Sequence, residues 1–138
     1  MAGYSGTPLA RKLGLTPGKA SFVLDPPEHY AVLLDGAAPP LALAPGAALP
    51  EAMDFLHLFS RWQAPMAAWL SQARLRLAPA GMVWVSWPKK AAKVPTDITE
   101  DLIRAVALPM GFVDVKVCAV DEIWSGLKLV IRKDLRGG

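Results

Sequence analysis

Four stretches of this chain concentrate residues that can do chemistry: Asp25, the run Trp87 to Lys90, the pair Asp121–Glu122, and Trp124. Lys89 and Lys90 precede a helix start near Asp97. Two ammonium groups beside free helix amides can hold a phosphate or a carboxylate. Adjacent lysines also form solvated basic turns, which is the simpler reading. Asp121 and Glu122 offer carboxylates for a general base or a cation. Neighbours in extended chain point opposite ways, however, so hydrogen bonding within a turn is preferred. Trp87 and Trp124 can stack a ring or plug the sheet edge, and plugging is the plainer role. His57, between Leu56 and Leu58 with Phe55 and Phe59 on its face, reads as a packed histidine. Cys118 lies inside a strand with only Lys116 to activate it, and packing is again preferred. One cysteine with His29 and His57 leaves no metal-ligand spacing, so no metal is expected.

These residues need elements to position them. Thr7-Pro8 starts a short helix and Gly14 ends it, with Leu9 and Leu13 as its apolar contact. Tyr4, Ser5 and Thr7 read as its cap and anchor. Ala20 to Leu24 is a core strand ending at Asp25. Residues 28 to 35 form a short helix with Tyr30, Leu33 and Leu34 inward. The alanine- and proline-rich stretch 36 to 53 holds at most a short strand, 41 to 44. A strand over 54 to 60 precedes a helix over 65 to 77 whose face is Met66, Trp69, Leu70, Ala73 and Leu77. Pro79-Ala80-Gly81 ends that helix, and 82 to 87 is a strand. Asp97-Ile98-Thr99-Glu100 resembles a capping box. After it Ile98, Leu102, Ala105, Val106 and Pro109 recur at helical spacing. Val113, Val115, Val117 and Ala119 alternate with polar residues, as on a strand with unequally buried faces. A strand over 127 to 133 follows too closely for a parallel crossover and must be antiparallel.

Alternating strands and helices imply a parallel sheet covered on both sides. The expected fold is α/β, a three-layer Rossmann-like domain whose mostly parallel sheet ends in an antiparallel strand. In such sheets ligands bind beyond the carboxyl ends of the strands, where Asp25, Ser60, Trp87 to Lys90 and Asp121 to Ser125 should gather.

This order of elements resembles a class I methyltransferase shortened near its second helix, over roughly residues 20 to 133. FVLD at 22 to 25 is similar to that family's first strand with its terminal acid. LAPAGMVWVS at 77 to 86 is similar to the turn and strand after the fourth helix. The resemblance implies a glycine-rich loop after Asp25, and the chain has Pro26-Pro27-Glu28-His29-Tyr30 instead. Proline offers no amide hydrogen and a fixed φ, a poor cradle for a cofactor. High-affinity binding of S-adenosylmethionine is therefore not expected. YSGTPLARKLG at 4 to 14, WPKK at 87 to 90, TDITEDLIR at 96 to 104 and VDVKVCAVDEIWSGLKLVIRK at 113 to 133 resemble a bacterial family of short proteins carrying a domain of unknown function. That resemblance implies a fold and a bacterial source, and no activity.

Composition narrows the classes. The 138 residues are 53% hydrophobic and 20% charged, with mean hydropathy +0.30, which excludes a disordered chain. A net charge of +3 from scattered basic residues argues against a nucleic-acid partner. Pro39, Pro40, Pro45 and Pro50 break the longest uncharged stretch, so no membrane span is expected. The expectation is one domain over 1–138, with a packed N-terminal helix and turn over 1–19 and a frayed tail over 136–138. Cytoplasmic location is the default. The chain is expected to be a non-catalytic binding or scaffold protein with no cofactor. The alternative is a small enzyme or sensor taking an anionic small molecule at Asp25, Trp87, Lys89, Lys90, Asp121, Glu122 and Trp124. A protein partner is the other class open to it.

Overall fold

A computed structural model describes residues 8–44 and 46–136; the Tyr4, Ser5 and Thr7 anchor and the end of the tail, Gly137–Gly138, lie outside them. Among the described residues the α-helices and β-strands run in the order α1 (Leu9–Leu13), β1 (Ser21–Leu24), α2 (Tyr30–Leu33), β2 (Leu41–Ala42), β3 (Met53–Phe59), α3 (Gln63–Arg76), β4 (Leu77–Pro88), α4 (Glu100–Ala107), β5 (Phe112–Ala119) and β6 (Trp124–Ile131). The six strands form one sheet of order β2-β1-β3-β4-β6-β5. β2, β1, β3 and β4 pair in parallel, while β6 is antiparallel to both β4 and β5. This is the expected α/β architecture: crossovers carry the parallel strands, and the four-residue turn after β5 allows only antiparallel return.

β3 shows how the pleat builds the layers. Leu56 and Leu58 face one side, where Met66, Leu70 and Ala73 of α3 and Ile103 and Ala107 of α4 close over them. Phe55 and Phe59 face the other, against Leu13 of α1 and Tyr30 and Leu34 at α2. Gly14 takes φ +75 to end α1, as its position in the sequence requires. The buried Trp84 indole donates to the Leu13 carbonyl at 2.7 Å, tying α1 to the centre of the sheet.

Three local expectations are corrected. Pro79-Ala80-Gly81 does not separate α3 from a later strand: α3 passes straight into the twelve-residue β4 at Leu77. The triplet bulges between the pairs Met53↔Leu77 and Phe55↔Met82. A Cβ on Gly81 would lie 2.7 Å from the Met53 carbonyl, so glycine serves close approach there and not a turn. The helix near residue 97 is capped by Thr99, whose Oγ1 accepts from the Leu102 amide at 3.1 Å. Asp97 instead accepts from the Gln63 amide at 2.6 Å and caps α3, while Glu100 pairs with Arg104. The buried face of α4 is therefore Ile103 and Ala107, and Ala105 and Pro109 are exposed. In β5 a register shift between Asp114 and Lys116 leaves Val115 outside the ladder. Val113 and Val117 consequently fall on opposite faces, and all three valines are exposed.

One polar residue sits in the core of β3. His57 is fully buried, stacked on Phe59 at 4.2 Å. Its Nδ1 meets the Tyr30 hydroxyl at 2.9 Å and its Nε2 the Ser86 hydroxyl at 2.7 Å. Hydroxyls donate or accept, so either neutral tautomer is satisfied. Burial pushes the imidazole down to about 3 and raises the Tyr30 phenol. The group is thus a neutral brace linking α2, β3 and β4.

Two outcomes follow from these packing contacts. Trp84→Phe leaves the Leu13 carbonyl without its donor and should cost about 1–3 kcal/mol. Chemical denaturation measures the loss, and hydrogen exchange should rise over Leu9–Leu13 more than over β3. The brace also makes stability pH-dependent. Unfolded His57 titrates near 6.5 and folded His57 near 3, so the native state binds fewer protons between those values. Its contribution is complete above 6.5 and is lost progressively as pH falls towards 3. Urea unfolding in steps from about pH 7 to about pH 4 should show this decline, with a flatter slope for His57→Gln. Equal slopes would refute the assignment.

Candidate functional site

The carboxyl ends of β1 and β3 open into a cavity of about 270 Å3. β1 stops at Leu24, and Asp25 turns the chain with φ +52, a left-handed conformation that a short polar side chain tolerates better than most. The prolines at 26 and 27 then carry the backbone away, and the Pro27 carbonyl accepts from the Tyr30 amide at 3.0 Å. Beyond β3 the chain turns into α3 through Ser60, Arg61 and Trp62. The Ser60 amide donates to the Ser86 carbonyl at 3.0 Å, and the Ser60 hydroxyl bridges the Trp62 carbonyl and amide at 2.9 and 3.1 Å.

The long turn before α4 holds Arg61. Its carbonyl accepts from Thr96 Oγ1 at 2.6 Å, and its own Nε donates to the Pro95 carbonyl at 3.0 Å. The guanidinium lies 5.3 Å from the centre of the Trp62 ring. Trp69 and Pro65 of α3 supply further wall, and Phe59 and Trp124 meet edge to face at 5.1 Å on the other side. Half of the lining is therefore aromatic, with one carboxylate, Asp25, and one guanidinium, Arg61.

Asp121 fixes the wall at Trp124 from behind. It is nearly buried and accepts from the Ile123 and Trp124 amides at 2.8 and 2.7 Å. Its second oxygen meets His29 Nε2 at 2.7 Å, joining the loop after β1 to the turn between β5 and β6. Asp25 and Trp124, which lie near the two members of this pair in sequence, both line the cavity.

Of the residues singled out by sequence, the structure brings Asp25, Ser60 and Trp124 together on the cavity wall. Asp121 supports the wall without lining it. Trp87 is buried in the core beneath α3 and α4. Lys89 follows Pro88, the partner of Trp124, and its amide donates to the Ile123 carbonyl at 2.7 Å. Lys90 and Glu122 are exposed, and neither lysine lines the cavity. Sequence reading missed Phe59, Arg61, Trp62 and Trp69 as wall residues and His29 as the partner of Asp121. The signal for the first group was Ser60-Arg61-Trp62 at a strand end, with Trp69 two helical turns further on. His29 had no signal, because its partner lies 92 residues away. Cys118 is half-buried, and burial raises its thiol against the opposing pull of Lys12 and Lys116. Among the described residues no group of three or more metal-ligating side chains occurs, and no helix is long and apolar enough to cross a membrane.

No family model and no curated protein matches the chain. Solved structures do. A putative S-adenosylmethionine-dependent methyltransferase from Listeria monocytogenes is 10% identical, with a TM-score of 0.56 over 91% of this chain and 98% of that one. A putative type 11 methyltransferase from Sulfolobus solfataricus is 15% identical, with a TM-score of 0.54 over 81% of this chain and 70% of that one. LepI, solved with SAH and a substrate analogue, is 10% identical, with a TM-score of 0.54 over 90% of this chain, which spans only 39% of LepI. At such identities the likeness is one of fold, and the fold of this chain is the Rossmann-like architecture of the methyltransferases.

Proposed function

We propose that this chain is a small-molecule-binding domain on a methyltransferase-like scaffold, acting without methyl transfer. The observation that carries the reading is the aromatic cavity at the carboxyl ends of β1 and β3, the place where open α/β sheets bind ligands. S-adenosylmethionine fits it poorly. The backbone after β1 presents Pro26 and Pro27, without amide hydrogens, where a glycine-rich loop would approach the cofactor. The volume of about 270 Å3 lies below the roughly 300–1,000 Å3 of sites that enclose drug-sized ligands. The motifs at 4 to 14, 87 to 90, 96 to 104 and 113 to 133 resemble the bacterial family of short proteins, and we read the chain as a cytoplasmic member of it.

Lys89 and Lys90 stand one step beyond the Pro88↔Trp124 pair. They offer an anionic group on the ligand, or a protein partner, a contact outside the cavity, with Glu122 limiting where an anion can sit.

Calorimetry with S-adenosylmethionine tests the first part. No saturable heat is expected at millimolar ligand, and a micromolar dissociation constant with the nucleoside beside Asp25 would restore the methyltransferase reading. Joint replacement Lys89→Ala and Lys90→Ala tests the second. It should leave unfolding free energy within about 0.5 kcal/mol, because neither ammonium is buried in the core or paired among the described residues. The salt dependence of any anionic ligand or partner should shrink, and a large loss of stability would make the lysines structural.

A further inference from the structure

We infer that the cavity takes a free α-amino acid, with Asp25 receiving the ammonium, Arg61 the carboxylate and the tryptophans the side chain. This rests on the ligand-binding reading above and names its chemical class. The wall carries two charged groups of opposite sign. Among the described residues they form no ion pair with each other or with a third group. Arg61 spends Nε on the Pro95 carbonyl, which fixes its shaft and leaves both Nη groups without a protein acceptor among the described residues. Arginine's planar fork suits a carboxylate, which it binds by two parallel hydrogen bonds.

Asp25 supplies the complementary end. Its left-handed backbone is a local cost for a residue with a Cβ, and such outliers concentrate at binding sites. Its carboxylate has no hydrogen-bond donor among the described residues, although it stands on the cavity wall. On the same wall, Phe59, Trp69 and Trp124 offer apolar and ring contacts, joined by Trp62, which is 45% exposed.

Simpler ligand classes leave something uncompensated. A plain cation suits Asp25 and the rings but meets Arg61, and a plain anion meets Asp25. A neutral ring desolvates both charges without pairing either, which is costly. A zwitterion of amino-acid size satisfies both charges and matches the small volume.

Calorimetry with three matched probes decides the matter: L-phenylalanine, phenethylamine, which lacks the carboxylate, and 3-phenylpropionate, which lacks the ammonium. L-Leucine and L-arginine survey the side-chain preference. L-Phenylalanine or L-leucine should bind, and each singly charged analogue should bind at least about tenfold more weakly than L-phenylalanine. Asp25→Asn should weaken the amino acid about tenfold and leave 3-phenylpropionate unchanged or improved, and Arg61→Gln should do the same with respect to phenethylamine. Both positions are exposed, and unaltered thermal midpoints would confirm that the variants fold. Equal affinities for the three probes, or amino-acid binding indifferent to both variants, would overturn the assignment. If adenosine or inorganic phosphate quenched tryptophan fluorescence while no amino acid bound, the class would be wrong and the cavity still a binding site. If none of these probes bound at millimolar concentration, the zwitterion assignment would fall together with the cavity reading.

Discussion

β3 is covered on both faces, and that constraint shapes everything at the carboxyl edge. A strand between two parallel neighbours has no solvent side, so its residues must be apolar or fully paired. Six of its seven residues are buried, and the exception, Asp54, accepts from the Ala20 amide at the strand's entrance. His57 meets the requirement only because α2 brings a tyrosine hydroxyl and β4 a serine hydroxyl to its two nitrogens. With both ring nitrogens hydrogen-bonded and the ring fully buried, this histidine fixes α2 against the sheet. The loop from Asp25 to His29 is then held between a strand end and a pinned helix, and the Asp121–His29 pair ties it to the far hairpin.

Charge is divided by depth in the same way. Below the edge the imidazole is neutral, and the buried Asp121 is surrounded by donors. Above it Asp25 and Arg61 stand at the mouth of an aromatic recess. Buried polar groups must be matched within the protein, whereas groups at the mouth can wait for a ligand. That contrast separates the bracing residues from those with capacity left over.

Periodicity made the sheet legible, and local ambiguity hid much of the site. The valine and leucine runs, the helical face Met66, Leu70 and Ala73, and the short final connection together lead to a parallel sheet with an antiparallel end. Asp25 and Trp124 could be placed because strand ends gather on one edge. Arg61 and Trp62 were harder, since a boundary displaced by one or two residues moves them between strand, turn and helix. The sequence around Asp97 contains two capping residues, and only tertiary contact decides that Asp97 serves α3 while Thr99 serves α4. Pro79-Ala80-Gly81 has the chemistry of a turn, yet the close approach of Met53 makes it a bulge within β4. Val115 gave no sign of leaving the ladder, because a bulge preserves composition while breaking alternation.

The irregularity at Val115 also bears on how the protein behaves in a crowd of its own copies. β5 is one of the two outer strands of the sheet among the described residues, eight residues long and rich in valine, a composition that invites stacking of strands from other molecules into fibrils. The extra residue bends the edge and interrupts its row of free backbone groups. Immediately beyond it Lys116 stands opposite Lys128, where burial and mutual repulsion lower the Lys128 ammonium's affinity for its proton. A strand arriving from another molecule would meet a kinked ladder guarded by two like charges. The bulge thus acts as a gatekeeper for this exposed edge strand.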